Sequence, residues 1–194
     1  MDNKYYIYHW TQIDRLLTIL EDGIIYAGKY LSKEHPTFAW ETPSPYVFTR
    51  IYVETSLEKK THFGLSLILH PKILYEQSSI YNPGWYSKPY EESMYINIYD
   101  KNTLEETIKT VLENVIERDE LLFQKSSGEI INDPPMMRHE LLFIARIILS
   151  DFLIGLIIPE KETKNVKKIL KKKKMEHIKI FTGDKFPTYE ELGL

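Results

Sequence analysis

The stretch YYIYHWTQIDRLLTILEDGIIY, residues 5–26, contains the clearest pattern of strands and helices in this sequence. Its beginning, Tyr5–Tyr8, is aromatic and β-branched and predicts a short strand. Apolar residues then recur at i, i+3, i+4 and i+7, which is the spacing of one helix face: Ile13, Leu16, Leu17 and Leu20. Gly23 is predicted to end this helix, and residues 24–27 predict a second strand. The chain therefore opens with a strand, a helix and a strand.

Short strands and long polar loops follow this opening. Residues 46–52 and 64–69 are rich in β-branched, aromatic and aliphatic residues and predict two more strands. Residues 28–45 and 76–100 carry proline, glycine and polar residues and predict surface loops. Loops of this length in a compact domain are often functional, but the sequence does not indicate the role of 76–100.

The second half of the chain adds helices to the strands. Thr103 and Glu106 form a capping box ahead of an apolar stripe that predicts a helix. The apolar run 141–148 is consistent with a central strand and also with a buried helix. A strand at 153–158, a Lys-rich surface helix at 162–174, a strand at 177–181 and an acidic tail at 187–194 complete the chain.

These elements predict an α+β fold. Consecutive short strands do not support a regular doubly wound sheet. Because neither a linker nor an internal repeat divides the sequence, we expect residues 1–194 to form a single domain. The C-terminal helix and tail, 160–194, are expected to be peripheral to it.

Composition limits the classes of function. The net charge of −3 provides no overall basic excess for nucleic acid or anionic membranes. The absence of cysteine excludes disulfides and zinc–thiolate sites and fits a reducing compartment. The longest apolar stretch, 141–159, contains charged residues and makes a poor membrane span. We therefore expect a cytoplasmic protein without a membrane partner.

His9 and Thr11 lie where the first strand passes into the first helix. Thr11 is the predicted N-cap, with Asp14 in the place of the usual Glu or Gln of a capping box. A histidine beside a threonine and the free N–H groups of a helix start can hold nucleotide hydroxyls or phosphates. The alternative is that Thr11 only caps the helix and His9 is a hydrogen-bonded, half-buried residue.

Two charged residues lie at strand ends. Arg50 closes an otherwise apolar strand, where its guanidinium offers a planar fork for phosphate or carboxylate; the alternative is an ordinary edge-strand charge. Glu140 precedes a buried run, and a carboxylate there is costly unless it is paired or functional; the alternative is a solvated residue at the start of a strand. His139 remains a second candidate for the catalytic group. Because six scattered histidines lack metal-ligand spacing, we expect no metal site.

The order of these features resembles the ADP-ribosyltransferase superfamily, in particular the DarT-type DNA ADP-ribosyltransferases and related phage-resistance proteins. Residues 8–26 resemble their opening strand, His-x-Thr motif, helix, glycine and strand. Phe48-Thr49-Arg50 resembles the strand that carries their NAD-contacting arginine. Arg138-His139-Glu140-Leu141-Leu142, followed by the strand at 153–158, resembles their catalytic glutamate segment.

The resemblance implies a split, curved mixed β-sheet with flanking helices and with NAD, as a substrate, in the cleft. It implies that His9 and Thr11 hold the nicotinamide-side ribose and that Arg50 contacts the NAD phosphates. Glu140 would stabilise the oxocarbenium-like transition state or deprotonate the acceptor. An aromatic residue would stack on nicotinamide, and the candidates are Tyr46, Tyr52 and Trp85.

The implied function is that of a NAD-dependent ADP-ribosyltransferase that modifies a nucleic acid or a protein, toxin-like and active in conflict between a virus and its host. A non-catalytic binding module on the same fold is the alternative from another class. A NAD glycohydrolase, with water as the acceptor, would use the same site. The orientation of Glu140 relative to His9 and Arg50 discriminates between enzyme and binding module.

Overall fold

The computed structural model describes residues 4–30, 44–54, 65–83, 93–126, 139–183 and 185–194. The strands are β1 Tyr5–Thr11, β2 Ile24–Tyr26, β3 Tyr46–Val53, β4 Leu65–Leu69, β5 Ser79–Asn82, β6 Met94–Ile96, β7 Glu140–Ile144, β8 Arg146–Ile148, β9 Leu153–Ile157 and β10 Lys179–Phe181. The α-helices are α1 Ile13–Asp22, α2 Ile73–Glu76, α3 Leu104–Ser126, α4 Leu149–Phe152, α5 Thr163–Lys172 and α6 Tyr189–Leu192, and a 3-10 helix spans Glu160–Glu162.

A large mixed sheet organises these elements. Its strand order is β10-β9-β4-β1-β3-β7-β5-β6, and β2 pairs with β8 in a separate two-stranded sheet. β10 runs parallel to β9, whereas the other neighbours in the large sheet are antiparallel. The predicted α+β class, a mixed sheet with flanking helices, is confirmed.

The start of α1 differs from the predicted N-cap. Thr11 is the last residue of β1, and Gln12 occupies the N-cap position without a side-chain hydrogen bond. Thr11 is buried and pairs with Leu65 of β4, so the strand extends further than its aromatic part indicates. The predicted helix end is confirmed: Gly23 has φ 74° and donates its N–H to the Ile19 carbonyl oxygen.

Two other segments correct the predictions. The segment 76–100, predicted as a loop, contains β5 and β6; residues 84–92 lie outside the described residues. The sequence of β5 did not predict a strand, because it contains the polar residues Ser79 and Asn82, which are buried beside Tyr81. The apolar run 141–148 is neither one strand nor one helix: β7 and β8 are separated at Ala145, which has φ 68°.

The sheet has a hydrophobic cluster on each face, because side chains alternate along every strand. The larger cluster combines inward residues of β1, β3, β4 and β7 with α1, α3 and α5; examples are Ile7, Leu67, Leu16, Val111 and Leu170. The smaller cluster on the opposite face contains Tyr6, Tyr52, Ile68, Ile157, Phe186 and Leu192. The two clusters fix β1 and β3 from both sides.

The C-terminal segment 185–194 completes the smaller cluster. Phe186 lies against Tyr52 and Tyr8, with ring centroids 4.8 and 4.9 Å apart. The Tyr6 hydroxyl donates to the Pro187 carbonyl oxygen at 3.0 Å, and the Tyr189 N–H donates to Glu54 Oε2 at 2.7 Å. The segment therefore covers the sheet face that also carries Tyr8.

We expect Phe186→Ala to destabilise the protein by about 3 kcal/mol, because it removes a buried ring from among three aromatic neighbours. The free energy of unfolding from urea titration measures the effect. Tyr99→Ala is the matched control, since Tyr99 is 85% exposed and its loss should change the value by about 0.5 kcal/mol or less. Equal effects of the two substitutions would contradict the packing of the C-terminal segment.

Candidate active site

The large sheet splits between β1 and β3. The two strands pair from Tyr5–Val53 to Tyr8–Arg50, and beyond Tyr8 β1 continues along β4 only, as far as Thr11. At the split, the His9 side chain replaces strand pairing: its Nδ1 lies 2.8 Å from the Phe48 carbonyl oxygen. The side chain of His9 thus links β1 to β3 at the point where the two strands diverge.

A cavity opens at this split. It encloses about 130 Å³, and with its open mouth it occupies about 730 Å³. Its lining comes from the end of β1, one face of α1, β2 and the start of β3: His9, Trp10, Thr11, Arg15, Asp22, Tyr26, Tyr46 and Phe48 are among the lining residues. Pockets for small ligands typically measure about 300–1,000 Å³, so the enclosed part holds only a portion of a dinucleotide.

Arg50 and Glu140 are direct cross-strand neighbours on one face of the sheet. The register pairs Tyr8 with Arg50, Arg50 with Glu140, and Glu140 with Asn82. Directly opposite residues of antiparallel strands share a face, with Cβ atoms about 5 Å apart. Arg50 is exposed, Glu140 is half-buried and Asn82 is buried. The row therefore presents a guanidinium and a carboxylate side by side.

Phe48 and Trp10 connect the cavity to this row. Both line the cavity, and they are 47% and 55% exposed. Phe48 lies two residues before Arg50 and Trp10 two residues after Tyr8, so both belong to the face that carries Arg50 and Glu140. A ligand that leaves the mouth of the cavity would meet these two aromatic rings and then the Arg50–Glu140 pair.

His9 is held in one tautomer. Because the Phe48 carbonyl oxygen only accepts, Nδ1 carries the hydrogen, and in the neutral ring Nε2 is an acceptor. Burial lowers the pKa of His9 below its ordinary value of 6.5; the hydrogen bond to Phe48 opposes this shift and the charge of Arg15 adds to it. The neutral ring is therefore the form at pH 7, with Nε2 as an acceptor for a ligand hydroxyl.

The sequence did not single out the polar face of α1. Arg15, Thr18 and Asp22 line the cavity, and their spacing of i, i+3 and i+7 marks one helix face. The N–H groups of the first turn have no acceptor within the helix, and the helix start is favourable for an anion. Arg15 contributes a positive charge to the lining of the cavity, and Asp22 contributes a negative one. The helical spacing of the three polar residues was the signal that could have identified them.

The aromatic candidates separate in space. Tyr46 lines the cavity. Tyr52 is 6% exposed and stacks on Tyr6 at 4.7 Å within the smaller cluster, away from the cavity lining. Trp85 lies outside the described residues. Among the three, Tyr46 is the one that the structure brings to His9 and Thr11.

His139 and Glu140 point in different directions. His139 is 6% exposed, and its Nδ1 lies 3.0 Å from the hydroxyl of the buried Tyr81. Glu140 lies in the row with Arg50 on the opposite face. The geometry therefore favours Glu140 as the group that meets a substrate.

Comparison with known proteins adds a family and a relative. The model of a family of unknown function (DUF5846) matches residues 1–120. A protein of Acanthamoeba polyphaga mimivirus, "Uncharacterized protein R11", is 34% identical over 84 residues, which cover 43% of this chain and 30% of that protein. The matched region thus spans less than a third of the viral protein's length. No helix in the described ranges is long and apolar enough to cross a membrane.

Solved structures with the same fold are DarT ADP-ribosyltransferases. DarT of Thermus sp. 2.9 in complex with carba-NAD+ matches with a TM-score of 0.53 and 14% identity, covering 94% of this chain and 97% of the other. The same protein in complex with ADP-ribosylated single-stranded DNA matches with a TM-score of 0.50 and 14% identity, covering 92% and 93%. The predicted resemblance to the ADP-ribosyltransferase superfamily is confirmed at the level of the fold.

Proposed function

The chain belongs to the family of unknown function DUF5846, and we propose that it is a NAD-dependent ADP-ribosyltransferase. The observation that carries the proposal is the continuity of the cavity beside His9 with the Arg50–Glu140 row through Trp10 and Phe48. The fold shared with DarT, whose structures hold NAD+ and carba-NAD+, supports the same conclusion.

The size and charge of the cavity support one arrangement of NAD. An enclosed volume of about 130 Å³ admits part of the molecule, and the rest would lie along the exposed aromatic residues. In our proposal, His9 Nε2 accepts a hydrogen bond from a ribose hydroxyl and Thr11 lies beside it. Arg15 and the start of α1 bind the diphosphate from one side and Arg50 binds it from the other. Tyr46 or Phe48 packs on the nicotinamide ring.

Glu140 would act where positive charge develops. As the bond between nicotinamide and ribose C1′ breaks, the bond electrons leave with nicotinamide and the ribose becomes oxocarbenium-like. A carboxylate beside the ribose stabilises this charge and holds a ribose hydroxyl. The acceptor nucleophile then bonds to C1′ and loses its proton, for which Glu140 is the nearest proposed base. Arg50, directly across from Glu140, keeps the ribose phosphate in register with that carboxylate.

Labelled NAD identifies the acceptor. Purified protein is incubated with NAD labelled in the adenosine part, together with single-stranded DNA, duplex DNA, RNA or cell protein, and released nicotinamide is measured in parallel. We expect label to become covalently attached to one of these macromolecules. Nicotinamide release without attachment would identify a NAD glycohydrolase, with water as the acceptor. Neither release nor NAD binding by calorimetry would reject the transferase and leave a binding module.

Two similar proteins support an inference about the biological setting. A viral protein is 34% identical over part of its length, and the DarT neighbour was solved with modified single-stranded DNA. We therefore infer a toxin-like enzyme of the cytoplasm that acts in conflict between a virus and its host. Its acceptor would be a host nucleic acid or a host protein.

The protonation of His9 predicts a pH dependence of NAD binding. Since burial lowers the pKa of His9, the ring is neutral at pH 7 and Nε2 can accept. As the pH falls through that lowered pKa, Nε2 gains a proton and loses this role. We expect the KM for NAD to be flat above the ordinary histidine pKa of 6.5 and to rise only at a lower pH, where the ring becomes protonated.

His9→Asn is the matched variant for this measurement. An asparagine amide can still donate to the Phe48 carbonyl oxygen, but it lacks an equivalent of Nε2. Its KM should be high at every pH and should not show the wild-type rise. A KM for His9→Asn at pH 7 that equals the wild-type KM would contradict the role of His9.

A further inference from the structure

His139 has an uncommon backbone conformation immediately before the proposed catalytic carboxylate. Its φ is 38°, in the left-handed region that non-glycine residues seldom adopt, although histidine and asparagine are enriched there. Its side chain is 6% exposed and lies in the interior. Such a conformation is maintained only where surrounding contacts stabilise it, and it is often found at functional sites.

Tyr81 of β5 holds the His139 side chain. The Tyr81 hydroxyl and His139 Nδ1 are 3.0 Å apart, and the two rings are nearly parallel at 9°, with centroids separated by 6.2 Å. Tyr81 is completely buried. A hydrogen bond between two buried groups is costly to lose, because each partner is left in a site that water does not reach.

The same two residues stand at the point where Glu140 enters the sheet. Glu140 pairs with Asn82 of β5, the residue after Tyr81, and with Arg50 of β3 on its other side. The Ile51 N–H donates to the His139 carbonyl oxygen at 3.4 Å. The backbone of His139 is thus bonded to β3, while its ring is bonded to β5.

We propose that Tyr81 and His139 are positioning residues that set the carboxylate of Glu140 against Arg50 and the reacting ribose. This inference rests on the proposed transferase function. The left-handed turn at His139 places its ring on the core side and Glu140 on the substrate side, and the Tyr81 hydrogen bond keeps that turn in place. An error of about 1 Å in the position of a catalytic group is enough to lower turnover substantially.

Four substitutions distinguish an effect on the position of the Glu140 carboxylate from an effect on the packing of the core. Tyr81→Phe removes only the hydroxyl. His139→Leu removes the ring nitrogen that is hydrogen-bonded to Tyr81, whereas His139→Asn tolerates the left-handed backbone and offers a polar atom close to the place of Nδ1. Tyr6→Phe is the matched control for Tyr81→Phe, since Tyr6 is also completely buried and its hydroxyl is also hydrogen-bonded, to the Pro187 carbonyl oxygen.

The experiment measures nicotinamide release at saturating and at limiting NAD for these variants, alone and combined with Glu140→Gln. We expect Tyr81→Phe and His139→Leu to lower kcat roughly tenfold with little change in KM. His139→Asn should recover most of the turnover lost in His139→Leu. Tyr6→Phe should keep the wild-type kcat although its thermal unfolding shifts. In the Glu140→Gln background, Tyr81→Phe should cause no further loss.

The possible outcomes separate this inference from the proposed function. No turnover by the wild type would reject the transferase itself. Wild-type turnover that depends on Glu140, together with an unchanged kcat in Tyr81→Phe and His139→Leu, would overturn the positioning role alone. The positioning role would also be overturned if Tyr81→Phe lowered kcat by the same factor in the wild type and in the Glu140→Gln background. A loss of kcat in Tyr6→Phe as large as that in Tyr81→Phe would likewise assign Tyr81 to general stability.

Discussion

Glu140→Gln is expected to lower the kcat for nicotinamide release by about 10³-fold, with little change in the KM for NAD. The substitution keeps the size and hydrogen-bonding reach of the side chain and removes its charge. Because the carboxylate is proposed to act on charge that develops only in the transition state, its loss should affect the chemical step more than binding. Initial rates over a range of NAD concentrations separate the two parameters.

A second glutamate provides the control. Glu117 is exposed on α3, and Glu117→Gln should retain the wild-type kcat and KM. If Glu140→Gln kept its kcat to within a factor of about three, the carboxylate would not stabilise the transition state. The half-buried position of Glu140 beside Arg50 would then need a structural explanation.

Arg50→Ala is expected to lower kcat/KM by about 100-fold, since a charge-assisted hydrogen bond to phosphate contributes about 1.5–3 kcal/mol. Part of this loss should appear in kcat, because Arg50 lies directly across from Glu140 and is proposed to keep the reacting ribose in register. Arg15→Ala, at the cavity, should raise KM and leave kcat nearly unchanged. The contrast between the two arginines is measured in the same kinetic series.

Arg50→Lys tests whether charge alone is sufficient. Lysine keeps the charge but lacks the planar fork, so we expect only partial recovery. Lys101→Ala removes an exposed positive charge elsewhere and should leave both parameters as in the wild type. Identical kinetics for Arg50→Ala and the wild type would place the diphosphate away from the Arg50–Glu140 row.

Local patterns in the sequence predicted much of the fold. The apolar spacing in 13–20 and the glycine at 23 define α1, and alternation and β-branching define β3 and β4. The predictions that failed concern segments whose burial depends on strands that are distant in the sequence. β5 was missed because Ser79 and Asn82 are polar yet buried, which is possible only with β7 and β6 beside them.

The sequence places the candidate site residues at strand ends, but it does not give their arrangement in space. Tyr46 and Tyr52 lie six residues apart on one strand, but Tyr46 lines the cavity, whereas Tyr52 packs against Phe186, more than 130 positions later. The sequence leaves His139 and Glu140 as equal candidates, and it does not show that Tyr81 is hydrogen-bonded to the histidine ring. Single-sequence patterns do not contain these contacts, because the partners are far apart along the chain.

The most direct test of the central claim is a crystal structure of this protein with carba-NAD+, an analogue of NAD. We predict that the ligand occupies the cavity between β1 and β3, with its diphosphate near Arg15 and Arg50. Its nicotinamide-side carbocycle should lie within hydrogen-bonding reach of Glu140. A ligand bound elsewhere on the molecule, or bound in the cavity with its nicotinamide end directed away from Glu140, would contradict the proposed NAD site.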